Sequence, residues 1–212
     1  MCEPGSIKAA GPRLTVVSGP SGVGKSSVVA EVRRRQPQLF VSVSMTTRAP
    51  RPQERPGEHY HYVDRPTFAR MIEHGEFLEH AEFAGNFYGT PAEPVLQALA
   101  LGRPTLLEIE VHGARQIRAA MPGALLVMLV PPSWEVLYKR LVARGTEDPS
   151  AQERRLQVAR EELDAAGEFD ATVVNDDVQR AAQELIALMA GPLTTDTETT
   201  DTDRRTPPLR HI

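Results

Sequence analysis

Gly19-Pro20-Ser21-Gly22-Val23-Gly24-Lys25-Ser26 decides how this chain is read, together with the residues on either side of it. The apolar run Leu14-Thr15-Val16-Val17 predicts a buried strand leading into it. Ser26-Ser27-Val28-Val29-Ala30-Glu31-Val32-Arg33 follows with helical spacing, so the segment joins a strand to a helix N-terminus. There the backbone N–H groups and the positive end of the helix dipole face an anion. The glycines let the backbone wrap phosphate oxygens, Lys25 reaches the β- and γ-phosphates, and the Ser26 hydroxyl is a Mg²⁺ ligand. The pattern implies a bound nucleoside triphosphate, held by Gly19, Pro20, Ser21, Gly22, Val23, Gly24, Lys25, Ser26 and Ser27.

The chain has 212 residues and a formal net charge of −4. That length suits one α/β domain with small inserted units, and the charge gives no sign of bulk binding to a nucleic-acid polymer. Only Lys8, Lys25 and Lys139 are lysines among the 24 cationic residues. Most arginines suit a solvated surface, but clustered ones fork onto phosphate oxygens. Cys2 stands alone, which excludes a disulfide framework and a thiolate metal site. With no secretory signal, membrane-spanning run or lipidation signal, the sequence reads as cytoplasmic, with no membrane and no obligate protein partner.

Residues 1–12 read as a flexible lead-in, and 191–212, rich in Thr, Asp, Arg and Pro, as a disordered tail. Between them strand and helix signals alternate, predicting an α/β fold with a mainly parallel sheet flanked by helices. Thr105-Leu106-Leu107-Glu108-Ile109, the apolar run 124–130 and Ala171-Thr172-Val173-Val174 supply further strands. Thr90-Pro91-Ala92-Glu93 and Ser150-Ala151-Gln152-Glu153 read as capping boxes, and Ser133 as the cap of a helix over 134–143. From 42 to about 89 the rhythm breaks into short strands, a Pro/Arg-rich loop and aromatics, as an inserted substrate-binding unit would.

Ser42-Val43-Ser44-Met45-Thr46-Thr47-Arg48-Ala49-Pro50-Arg51 strongly resembles the guanylate kinase signature. Glu54, Gly57, Tyr60 and Val63 keep that family's spacing. Glu79, Gly85-Asn86-Phe87-Tyr88-Gly89-Thr90, Arg140-Leu141-Val142-Ala143-Arg144-Gly145-Thr146 and Val174-Asn175-Asp176-Asp177 follow in the family's order. The resemblance covers 13–190. It implies a P-loop nucleoside monophosphate kinase with a core of 13–43 and 104–190, a mobile lid at about 144–155 and a GMP-binding insertion at 44–103. The implied reaction moves the γ-phosphoryl group of MgATP to GMP, and to dGMP, in purine nucleotide metabolism.

The acceptor in such a reaction is a phosphate oxygen. Its second pKa is about 6, so it is largely ionised at neutral pH and needs no general base. What remains is to hold two polyanions in line and neutralise the moving charge. Arg48 and Arg51, three apart beside Pro50, pair as forks on the GMP phosphate. By resemblance Ser44, Tyr60 and Tyr88 add hydroxyls there, while Arg140, Arg144 and Arg155 join Lys25 and Arg48 as the catalytic cations. Guanine needs an acceptor pair facing N1–H and the 2-amino group, which a carboxylate offers and adenine would leave unpaired. The resemblance gives that task to Glu79, although sequence alone does not separate it from Glu76 or Glu82. Ser44 and Thr90 are placed beside the base, and Glu110 in the same site. Asn175 resembles a position near the ATP adenine, and loop capping explains it comparably well.

Three positions depart from the family pattern: Gln53 replaces a usual glycine, Glu110 a usual aspartate, and His112 is unusual in its place. His112 reads as an ordinary loop histidine, since it has no companion ligands. Two other functions fit parts of the chain, a phosphopeptide-binding domain without catalysis and a kinase of phosphorylated ribose. The first lacks a reason for keeping Lys25, Ser26 and the arginines, and the second has no need of a guanine-reading carboxylate. Removing residues 193–212 should leave turnover and melting temperature nearly unchanged, because so few apolar groups there could offset the entropy of ordering. Calorimetry and steady-state assays of the truncated chain check this, and a loss of several degrees would show that the tail docks.

Overall fold

A computed structural model describes residues 14–83, 85–142 and 149–191. The expected lead-in at 1–12, the lid segment 144–148 with Arg144, and the tail from 192 onward lie outside the described residues. In chain order the core elements begin with β1 (Leu14–Ser18), α1 (Lys25–Arg35) and β2 (Phe40–Val41). The middle of the chain supplies β3 (Met45–Thr46), β4 (His61–Tyr62), α2 (Arg65–Glu73), β5 (Phe77–Phe83), β6 (Asn86–Pro91) and α3 (Ala92–Ala100). The remainder is β7 (Thr105–Glu108), α4 (Val111–Ala120), β8 (Leu125–Val130), α5 (Trp134–Val142), α6 (Pro149–Asp164), a 3₁₀ turn, β9 (Ala171–Val174) and α7 (Val178–Ala190).

Five parallel strands form the main sheet in the order β2-β7-β1-β8-β9. Central strands of such a sheet are covered on both faces and therefore read as unbroken apolar runs. Leu125-Leu126-Val127-Met128-Leu129 is that kind of run, and every one of these residues is buried. The pleat divides β1 between two cores. Val17 packs with Val28, Val32, Leu137 and Leu185, whereas Leu14 and Val16 pack with Leu107, Ile117 and Leu126. Because β1 lies between β7 and β8, the loop leaving it emerges at the carboxyl edge of the sheet, flanked by the connections that follow both neighbours.

A second, four-stranded sheet runs β4-β3-β6-β5. Phe68 of α2 is its packing centre, fully buried and stacked on Phe77 and Phe87 at centroid distances of 4.5 and 5.5 Å. Asp64 starts α2 by accepting the Thr67 N–H at 2.8 Å. The helix α3 that follows belongs to the main core, where Val95 and Leu99 pack beside Leu107 and Ile117.

Two predicted caps are corrected. Thr90 lies in β6, and its hydroxyl is given to Glu79 at 2.6 Å, so α3 begins after Pro91 without a side-chain cap. Ser150 lies inside α6, which begins one residue earlier at Pro149. Ser133 does cap α5, accepting from the Val136 N–H at 3.4 Å.

Phe68→Ala should lower the unfolding free energy by about 3–5 kcal/mol, the usual loss for a buried aromatic ring. Leu101→Ala, at a residue that is 70% exposed, should stay within about 0.5 kcal/mol of the parent. Denaturant titration of both variants checks the contrast.

Candidate active site

The loop after β1 curls as an anion cradle must. Gly24 takes a left-handed φ of 99° immediately before α1, and a Cβ there would stand 2.6 Å from the Asn175 amide nitrogen. Glycine is thus required both for conformation and for space. Asn175, buried at the end of β9, donates its amide to the Val23 carbonyl at 2.7 Å. Arg140 of α5 donates to the same oxygen at 3.1 Å and to the Asn175 carbonyl at 3.4 Å. Lys25 arches back over the loop, donating to the Gly19 carbonyl and, at 3.4 Å, to that of Pro20. From α6, Arg155 reaches the Ser21 hydroxyl at 3.4 Å. The structure therefore brings Lys25, Arg140, Arg155 and Asn175 together around one loop.

Ser26 donates its hydroxyl to Glu108 Oε1 at 2.7 Å. The contact arises because Val17 of β1 is paired with Glu108 at the end of β7. Hydroxyl and carboxylate oxygens are the hard donors that Mg²⁺ selects, and this ion usually takes only one or two protein oxygens beside substrate phosphates. Among the described residues no group of three or more His, Cys, Asp or Glu side chains could hold a metal ion. The donor set fits a Mg²⁺ that arrives with nucleotide. Sequence reasoning passed over Glu108, whose signal is an acid closing an otherwise apolar strand run.

Two further carboxylates crowd this end of the sheet. Glu110 precedes α4, and although the residue is exposed, desolvation pushes its carboxyl pKa up while Lys25 and His112 pull it down. Glu162 of α6 accepts the Ser21 N–H, and burial pushes its pKa up to about 7 against the attraction of Lys25. This acid was not predicted, because nothing local marks a helix glutamate as facing a loop 141 positions earlier.

The second sheet carries the other cluster. Glu54 binds Arg48 through both oxygens, at 2.8 and 3.0 Å, and also accepts from the Tyr62 hydroxyl and the Arg51 N–H, each at 2.8 Å. The Arg48 guanidinium holds the Glu54 carboxyl down at about 2. Arg48 also bonds the Tyr88 hydroxyl and lies 5.5 Å from the Tyr60 ring centre. Tyr60 and Tyr88 meet edge to face at 6.0 Å, and burial pushes the Tyr60 hydroxyl up to about 12. Ser44 immediately precedes β3, its carbonyl accepting the His61 N–H, and the Arg51 side chain is exposed.

Glu79 stands apart from the two acids that sequence could not separate from it. It is 5% exposed, whereas Glu76 and Glu82 are exposed. Its Oε1 accepts the Thr90 hydroxyl at 2.6 Å, and burial raises its pKa against the hydrogen bonds from Thr90.

The guanylate kinase family model matches residues 11–191. The chain belongs to the guanylate kinase family. It is 59% identical to the guanylate kinase of Thermobifida fusca over 182 residues, covering 86% of this chain and 93% of that one. Identity to the guanylate kinase of Frankia casuarinae is 60% over 178 residues, 84% of this chain and 97% of the relative. The crystal structure of guanylate kinase from Anaplasma phagocytophilum superposes with a TM-score of 0.69 at 31% identity, over 86% of each chain. The guanylate kinase fold thus accounts for both sheets and for the P-loop at the carboxyl edge of the first. No helix among the described residues is long and apolar enough to cross a membrane.

Glu162 gives this site a pH signature. Its folded pKa of about 7 lies above the ordinary 4.5, so stability is full below the unfolded value and is lost as pH rises toward the folded one. Beyond that the penalty is constant. Glu162→Gln keeps an acceptor for the Ser21 N–H and removes the charge, so it should raise the melting temperature at about pH 8 more than at about pH 5. Thermal melts at both pH values check it, and equal shifts would show that the carboxyl does not titrate in this range.

Proposed function

We infer that this protein is an ATP:GMP phosphotransferase that moves the γ-phosphoryl group of ATP to GMP, giving ADP and GDP. The observation that carries this reading is one chain holding both a complete phosphate loop and a separate sheet with a buried carboxylate beside an arginine–tyrosine cluster.

In the proposed division of labour, the loop N–H groups from Gly22 to Ser27 and the Lys25 ammonium take the ATP phosphates. Lys25 must leave the Gly19 carbonyl to do so, exchanging a neutral acceptor for a charged one, which is the stronger bond. Ser26, backed by Glu108, would hold Mg²⁺, which when bound neutralises charge between the β- and γ-phosphates. Arg155, which reaches the Ser21 hydroxyl, would meet the transferring group, with Arg144 assigned the same task. Arg140 and Asn175 keep the loop curved, and Asn175 also lies beside the proposed adenine site.

Arg48, Arg51, Ser44, Tyr60 and Tyr88 would take the GMP phosphate. Glu54 holds Arg48 by two bonds, so that side chain has little freedom left to lose when substrate arrives. Glu79 would accept N1–H and the 2-amino group of guanine, with Thr90 and Glu110 beside it. No residue is asked to remove a proton, since the acceptor phosphate is ionised at neutral pH. GMP and dGMP are both assigned as acceptors.

A coupled assay of ADP formation tests the reading, with MgATP and GMP, dGMP, AMP, CMP, UMP or ribose phosphates supplied separately. Turnover should require GMP or dGMP. Lys25→Ala should lower kcat by at least about 100-fold with the fold retained, as expected when a donor to developing transition-state charge is deleted. Near-normal turnover by a folded Lys25→Ala protein would remove the loop from the chemistry.

A further inference from the structure

We infer that Gly113 of α4, seconded by Gln116 one turn later, is a positioning residue for base recognition, setting where the Glu79 carboxylate can stand. The inference rests on the proposed role of Glu79 as the guanine-reading acid. A Cβ built on Gly113 would come 2.6 Å from Glu79 Oε2 and 3.0 Å from its carboxyl carbon. The carboxylate therefore occupies the volume that any other residue at 113 would fill.

The backbone does not ask for glycine here. Gly113 is buried inside a helix and is absent from the glycines with positive φ. It is the third residue of α4, in the first turn, where glycine still ranks below alanine as a helix former. Helix propensity thus argues against this residue, and the space taken by the carboxylate is what argues for it. The carboxylate cannot simply turn away, because its other oxygen is held by the Thr90 hydroxyl at 2.6 Å.

Gln116 fixes the remaining side of this arrangement. It lies three residues after Gly113, on the same helix face. Its amide donates to the His80 carbonyl at 2.8 Å and accepts the His80 N–H at 3.2 Å. The strand residue next to Glu79 is thus pinned to the helix that makes room for Glu79. Strand, helix and carboxylate are located relative to one another by three polar contacts and one missing side chain.

The test is steady-state kinetics with GMP and with IMP, which lacks the 2-amino group. Gly113→Ala should raise KM for GMP by about tenfold or more, the effect of spoiling one bidentate base contact. The GMP-over-IMP ratio of kcat/KM should fall, while KM for ATP stays unchanged. Gly167→Ala, whose added Cβ meets nothing within 4 Å, should behave as the parent. Glu79→Gln is measured in parallel. If it leaves KM for GMP unchanged, the proposed role of Glu79 itself is wrong. If it raises KM for GMP and Gly113→Ala does not, the positioning role of Gly113 is overturned. Should Gly113→Ala fail to fold, Gln116→Leu carries the test, and an unchanged GMP-over-IMP ratio in that variant overturns the inference.

Discussion

A loop that turns its N–H groups inward toward phosphate must turn carbonyls outward, and each outward carbonyl that is buried needs a donor. That requirement organises this molecule. Val23 offers the outward carbonyl, and it receives the Asn175 amide and the Arg140 guanidinium. Those donors come from the end of β9 and from α5, elements more than a hundred residues downstream. Their approach is possible because β8 and β9 continue the sheet on the side of β1 where the loop exposes that carbonyl. The phosphate loop is consequently local in sequence and global in support. Its curvature depends on the packing of half the main sheet.

The second sheet keeps a carboxylate dry, and dryness is the condition that the base-reading role proposed for Glu79 requires. An acid in water binds any donor weakly, because water competes for every hydrogen bond. Burial of Glu79 strengthens the bonds it makes and penalises partners that leave it unpaired. Burial also favours protonation, and the hydroxyl of Thr90 opposes that by donating to the ionised form. Thr90 is therefore less a cap for α3 than the group that keeps a buried acid able to accept.

Much of the architecture was legible because its causes are local. The apolar run of β1, the glycines of the loop and the spacing of α1 each state their own conformation. The same holds for β7, β8 and β9, whose apolar runs match the strands seen. What stayed hidden was decided by partners far along the chain. Thr90-Pro91-Ala92-Glu93 carries every local mark of a capping box, yet the hydroxyl goes to a residue eleven positions earlier. Glu108 faces Ser26 only through the parallel pairing of β7 with β1, and Glu162 meets Ser21 only because α6 crosses the loop. Gly113 left no trace in pattern, since an ordinary helical glycine differs from a required one only by what lies opposite.

The number of acids among the cations of a site read as binding two polyanions has a physical reason. Arg48 would lose its position if it faced only water, since long cationic chains are mobile and costly to order. Glu54 holds Arg48 through both oxygens, and Glu110 and Glu162 draw on Lys25. Each acid lowers the local positive potential and so weakens the first approach of a phosphate. At Arg48 the acid in exchange orients the cation before substrate arrives, and preorganised charge is what stabilises a transition state rather than a ground state. A net charge of −4 on the whole chain is therefore no obstacle to binding nucleotides, because positioned donors within the cradle decide the chemistry and the surrounding surface does not.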